Sequence, residues 1–297
     1  MLQKRAMNNL GKWISLTFTI YLLSCAEPVD WLERARTEFD QEDYLGAIVA
    51  LNAHLASGDT SCDALQLRAA SFRRVEKWRL AAMDLKRAEE KYPACLEARL
   101  EYARVLSDSG DTAGAHQKLI RLQQTNGVLG AEIQIELAWL AYKQDRFNSA
   151  LLHLNKAIQF DSSSHLAWYY RGYLQSRFTD DDHSSGTRIM ELLDFDKAIS
   201  DFSRCLALDS AFIDAWYQRG LVYLNQFNPE KGLADVARAI RLDPEYSYYY
   251  TGRAEYYIRE NEFGNALNDL NKAIQLNPRD SLNRELRQLV LDSLKSR

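Results

Sequence analysis

The chain has 297 residues, 46% of them hydrophobic, enough apolar material to bury a sizeable core and to exclude global disorder. Only 13 Gly and 5 Pro exclude a turn-rich β-protein and favour long helices with brief connections. The formal charge of −4, from 37 Lys+Arg against 41 Asp+Glu, leaves no basic footprint for nucleic acid or for a general anionic surface.

Residues 1–12 carry Lys4, Arg5 and Lys12 and no acid, and the apolar run Trp13–Leu23 follows. A basic start followed by a short apolar stretch has the form of a secretory signal peptide, here 1–24. Eleven residues at about 1.5 Å each do not cross a ~30 Å hydrocarbon core, so a permanent membrane helix is disfavoured. Loss of this segment removes three positive charges and leaves the mature chain at −7. The ending Leu22-Leu23-Ser24-Cys25 resembles the bacterial lipobox. That resemblance implies a diacylglycerol thioether on Cys25, with an N-acyl chain such as palmitate beside it, and more than one chain anchors stably. Ala26 after the cysteine resembles the outer-membrane sorting pattern. Residues 25–27 form the tether, which spans at most ~7 Å and would hold the array almost on the bilayer.

From Pro28 onward the sequence repeats. Ala215-Trp-Tyr-Gln-Arg-Gly220, Gly232, Val236, Ala239 and Pro244 recur 34 residues later as Tyr250, Ala254, Ala266, Leu270, Ala273 and Pro278. Walking backwards gives seven repeats: 28–61, 62–95, 96–130, 131–164, 165–212, 213–246 and 247–280. Position 8 reads Ala35, Ala69, Ala103, Ala138, Gly172, Gly220 and Ala254; position 20 reads Ala47, Ala81, Ala115, Ala150, Ala198, Gly232 and Ala266. This pattern resembles the tetratricopeptide repeat. The resemblance implies an all-α solenoid in which helix A and helix B of each repeat approach closely at positions 8 and 20. A large residue there is expected to cost about 1–3 kcal/mol by overpacking. Position 17 is aromatic in five repeats (Tyr44, Trp78, Phe147, Phe195, Phe263), a plug at the start of helix B.

Position 7 is Arg in five repeats, and in four of these position 23 is Asp: Arg68 with Asp84, Arg171 with Asp201, Arg219 with Asp235 and Arg253 with Asp269. Arg34 faces Ala50 instead, and the two repeats without Arg (Tyr102, Leu137) carry Lys118 and His153. The covariation predicts structural ion pairs between the two helices of a repeat, of small net worth.

In tetratricopeptide proteins, helix-A positions 2, 5, 9, 12 and 13 line a concave groove. In repeats 4 to 6 these positions include Trp139, Tyr142, Lys143, Tyr169, Tyr173, Arg177, Tyr217 and Leu221, a set suited to anchoring a protein partner. Some of these rings are alternatively core residues packed inward. Earlier repeats place Gln66, Arg73, Arg74, Arg104 and Asp108 there. The lysine/asparagine clamp of chaperone-tail binders is missing.

Repeat 5 is 14 residues longer than the others, between Gln175 and Phe195, enough to lengthen both of its helices by two turns. Its middle, Thr179–Gly186, is polar and turn-like; its acids and His183 read as solvated loop rather than as a metal site. Cys62 and Cys95, at positions 1 and 34 of repeat 2, are expected to be free thiols, beyond disulfide reach of each other. Residues 281–297 read as a solvating cap, with Leu282, Leu286, Leu289, Val290 and Leu294 along one stripe.

No catalytic constellation, metal-ligand spacing or phosphate loop is present, and the array leaves no room for a catalytic domain; no enzyme activity, cofactor or metal is expected. The chain resembles the tetratricopeptide lipoproteins of bacterial envelopes, which implies an adaptor bound to the outer membrane and facing the periplasm. Two alternatives stand beside it: a self-associating structural lipoprotein, and a cytosolic tetratricopeptide regulator with an unprocessed N-terminus.

Overall fold

The computed structural model describes residues 30–124, 129–177 and 194–295. The signal peptide, Cys25, the tether and most of the inserted segment, His183 included, lie outside these residues. The described residues form fifteen α-helices and no strand. They divide at Leu122/Gln123 into two compact units.

The N-terminal unit contains α1 (Trp31–Asp40), α2 (Tyr44–Ala56), α3 (Cys62–Arg74), α4 (Trp78–Lys91), α5 (Leu96–Asp108) and α6 (Thr112–Gln123). The C-terminal unit contains α7 (Gly130–Lys143), α8 (Phe147–Phe160), α9 (His165–Ser176), α10 (Phe195–Leu208), α11 (Ile213–Asn225), α12 (Pro229–Leu242), α13 (Ser247–Arg259), α14 (Phe263–Leu276) and α15 (Ser281–Lys295). Odd-numbered helices are the A helices of the repeats and even-numbered ones the B helices. Within the C-terminal unit each A helix packs against its own B helix and each B helix against the next A helix, and α1 to α5 follow the same order.

The predicted small positions are the seam. All fourteen residues at positions 8 and 20 are buried. At Gly232 an added methyl would meet Leu224 at 2.6 Å and the Gly220 carbonyl oxygen at 2.9 Å, so even alanine is crowded there. Position 17 opens each B helix as expected, with Tyr44, Trp78, Phe147, Phe195 and Phe263 as first residues.

The turn between helices has a rule of its own. Glu42, Glu76, Asp145, Phe227 and Asn261 all have φ between 56° and 61°, and Gly110 has φ 94°. Each is position 15 of its repeat, where a left-handed residue reverses the chain between antiparallel helices. Phe227 is the least suited, since a bulky side chain disfavours this region.

The ion pairs are two-pronged. Arg68 donates from Nε and Nη2 to Asp84 at 2.7 and 2.6 Å, and Arg171–Asp201, Arg219–Asp235 and Arg253–Asp269 repeat the fork. A third arm reaches the preceding B helix: Arg68 to Asn52, Arg171 to Asn155 and Arg219 to Ser203. One guanidinium thus joins three helices, and the carboxylate's hydrogen bonds offset part of its desolvation. Where position 7 is Tyr102, the Lys118 ammonium lies 4.0 Å from its ring centre, a cation–π contact in place of the ion pair. Arg34, facing Ala50, turns to Glu38 instead.

Three expectations are corrected. Cys62 and Cys95 form a disulfide, with Cα atoms 6.7 Å apart. Positions 1 and 34 of one repeat are the starts of successive A helices, and stacking brings those starts side by side. Of the four cysteines Cys205 alone is a buried free thiol among the described residues, its pKa pushed up to about 12 by burial and then by Asp209.

In repeat 5 neither helix runs on into the insertion. Arg177 leaves α9 in extended geometry, and the Asp194 carboxylate caps α10 by accepting from the Lys197 amide. The last helix buries a different stripe from the one expected. Asn283 and Val290 are buried and Leu286 packs beside Val290, while Leu282, Leu289 and Leu294 are exposed. Thr251 donates to the Asn283 side chain at 2.7 Å, and Arg287 donates to Asn271 as Arg68 does to Asn52 and Arg171 to Asn155. α15 therefore sits in the register of an eighth A helix, and that register decides which leucines face outward.

Candidate functional site

Trp139 and Tyr142 are three residues apart on α7, on one face of a 3.6-residue helix. Their rings stack at 5.3 Å, and the Lys143 ammonium lies 5.5 Å from the Trp139 centre. Arg177, just past the end of α9, places its guanidinium 5.2 Å from the Tyr142 ring and 5.9 Å from the Tyr173 ring. Tyr173 stacks on Tyr169 at 6.2 Å, and Tyr170 touches both Tyr169 and Trp139. Six of the eight predicted groove residues, all but Tyr217 and Leu221, thus form one connected cluster on α7 and α9, in which Trp139, Lys143 and Arg177 are exposed and Tyr142, Tyr169 and Tyr173 are half-buried against the core.

The other two behave differently. Tyr217 is 2% exposed, a core residue. Its ring lies over Gly252 on α13, where there is no side chain, and its hydroxyl donates to the Tyr248 carbonyl at 3.3 Å. Leu221 is half-buried in the same cluster with Leu224 and Val236. Their place at the surface is taken by Tyr246 and Tyr248, 49% and 52% exposed, with Tyr248 packed edge-on against Tyr217. Tyr248 is position 2 of repeat 7, a groove position, so extending the same rule one repeat further finds it. Tyr246 lies in the turn before α13, where no periodicity marks it.

Burial raises the pKa values of Tyr169, Tyr173, Tyr217 and Tyr248, so these phenols stay neutral at physiological pH. Glu255, at position 9 of α13, is likewise raised by desolvation. The surface offers flat apolar area, hydroxyl donors and the two cations of Lys143 and Arg177. Such a surface grips a partner by stacking and shape.

The same positions in the N-terminal unit are occupied by charge already paired. Arg73 donates to Glu101 at 2.6 Å and to Asp108 at 3.0 Å, and Arg104 reaches the other Glu101 oxygen at 3.3 Å. Burial lowers the Arg73 pKa, but Glu101 and Asp108 outweigh it and hold the guanidinium firmly charged. Gln66 and Arg74 line the same pocket. Among the described residues no three His, Cys, Asp or Glu side chains gather to hold a metal ion. No described helix is long and apolar enough to cross a membrane.

Residues 217–281 match the family model for the tetratricopeptide repeat. That segment carries the tetratricopeptide repeat. Solved tetratricopeptide and related structures share its fold at low identity. A chain of the APC/C Cut9–Hcn1 hetero-tetramer superposes with a TM-score of 0.68 at 13% identity, over 91% of this chain and 51% of the other. A tetratricopeptide repeat protein from Parabacteroides merdae gives 0.58 at 15%, over 88% and 98%. Human IFIT1 with m7Gppp-AAAA gives 0.68 at 18%, over 86% and 60%. This chain thus spans about half of the first of these and three-fifths of the last. No curated protein matches it in sequence.

Proposed function

We propose that the protein is a lipid-anchored adaptor of a bacterial envelope that holds partner proteins on the aromatic surface of α7 and α9. The connected set Trp139, Tyr142, Tyr169, Tyr173, Lys143 and Arg177 carries this reading. Large rings held in place by their neighbours lose little conformational freedom on binding, and they dominate interface energetics. The mature charge of −7 favours a protein partner over nucleic acid. The lipobox-like Leu22–Cys25 supports export and anchoring at Cys25, on the periplasmic side of the outer membrane. The Cys62–Cys95 disulfide suits an oxidising compartment. The role is binding rather than catalysis. Scaffolding of peptidoglycan enzymes, barrel assembly and pilus or secretion assembly are the pathways that such an adaptor would serve.

The test is a crosslinked pull-down from envelope extract with the mature chain and with Trp139→Ala/Tyr142→Ala/Tyr173→Ala. A partner captured by the wild type and lost from a variant with unchanged helicity supports the aromatic surface and names the pathway. Equal capture by both moves the site elsewhere on the array. A mass that grows with concentration in light scattering, with no partner captured, favours the structural, self-associating reading; the exposed Leu282 and Leu289 on α15 are where that contact would be sought.

A further inference from the structure

The B helices of the first two repeats present an outer surface that partner binding at α7 and α9 does not use. Helix α2, Tyr44–Ala56, contains no Asp, Glu, Lys or Arg. Its inner face buries Ala47, Ala50 and Leu51, while Leu45 and Val49, one turn apart, are 66% and 65% exposed. On α4, Leu80 and Met83 are 43% and 61% exposed, flanked by the exposed cations Arg79, Lys86 and Arg87. Position 22 is Val49 and Met83 in these two repeats but Gln117, Ser200 and Asn268 in repeats 3, 5 and 7. Leu152 repeats the apolar choice in the C-terminal unit, with Lys156 in place of the three cations of α4.

Apolar residues on an outer helix face, rimmed on α4 by Arg79, Lys86 and Arg87, match the chemistry of an anionic lipid surface: side chains enter the headgroup boundary while cations meet phosphate. A second copy fits less well, since a two-fold contact through α4 would bring the Arg79, Lys86 and Arg87 cations of both copies into one interface. Position in the chain supports the same occupant. Asp30, the N-cap of α1, is five residue steps from Cys25, a reach of at most ~18 Å. We infer that the outer faces of α2 and α4, through Leu45, Val49, Leu80 and Met83, lie on the anionic bilayer that holds the lipid of Cys25. This rests on the anchor reading above and adds an orientation to it: the array meets the membrane by its B-helix side in repeats 1 and 2.

The experiment places an environment-sensitive fluorophore on Val49→Cys, Met83→Cys or, as control, Asn268→Cys in the full-length protein. The protein is reconstituted in vesicles of phosphatidylethanolamine and phosphatidylglycerol and titrated with aqueous iodide. Positions 49 and 83 are expected to quench at least about threefold less than 268, with blue-shifted emission, and Lys86→Glu/Arg87→Glu is expected to abolish the difference. Equal quenching at all three sites in protein that floats with the vesicles overturns the inference and leaves the anchor standing. If the N-terminal peptide carries no lipid by mass, the anchor reading falls, and the same titration on that chain with added vesicles decides the inference alone. There, protection at 49 and 83 supports it and equal quenching overturns it. Protection without vesicles that grows with protein concentration overturns it in favour of self-association.

Discussion

The N-terminal and C-terminal units are built from the same repeat, yet they fill the groove positions in opposite ways. In the first, Arg73, Arg104, Glu101 and Asp108 satisfy one another. In the second, rings stack in a row with Lys143 and Arg177 against their faces. The seam residues at positions 8 and 20 are the same in kind throughout. Backbone architecture and surface chemistry are therefore separable in this protein: small residues at the seam set the hairpin, and the outward positions vary freely.

The disulfide gives the largest expected break in that comparison. Cys62 and Cys95 close a loop of sequence separation 33 in the N-terminal unit alone. Reduction is expected to destabilise that unit by about 3–4 kcal/mol through restored chain entropy. Hydrogen exchange with and without reductant should show faster exchange in α3 to α5 and unchanged exchange in α11 to α14. Equal acceleration in both would show that the units unfold together.

Gly232→Leu is expected to cost about 1–3 kcal/mol, because Leu224 and the Gly220 carbonyl leave no space for a side chain. Urea unfolding followed by circular dichroism measures it, and a change under about 0.5 kcal/mol would refute the close-approach account. Asp235→Ala leaves Arg219 with Ser203 and its contacts on the Trp216 and Tyr223 rings, at an expected cost of about 1–2 kcal/mol. Asp235→Asn should recover part of it. The smallest effect has the opposite sign. Phe227 is 87% exposed at φ 57°, so Phe227→Asn is expected to stabilise the C-terminal unit by about 0.5–1 kcal/mol. A lowered midpoint would instead mean that the ring makes a contact worth more than its strain.

The eight ion-pair residues were legible because they are tied to the 34-residue period, and period is written in one dimension. Tyr217 was not legible in the same way. Position 5 of one repeat faces position 6 of the next, and whether the ring is groove or core depends on Gly252 leaving room for it. The rule that found Trp139 and Tyr173 would also have found Tyr248 had it been carried into repeat 7. The left-handed position 15 left no composition signal, since Glu, Asp, Asn, Gly and Phe all occupy it.

By itself the sequence determined the all-α repeat, the hairpin seam, the aromatic start of five B helices and the arginine–aspartate forks. All of these are contacts within one hairpin, where separation along the chain fixes separation in space. Only the tertiary structure decided the Cys62–Cys95 bond, the burial of Tyr217, the ends of the repeat-5 helices and the stripe that α15 hides. The first, second and fourth depend on how one hairpin lies against the next, a distance and angle that fix the register between neighbours and that no spacing within a repeat encodes. The third depends on local caps, with Asp194 starting α10 and Arg177 leaving α9, which override the helix length that a count of inserted residues suggests.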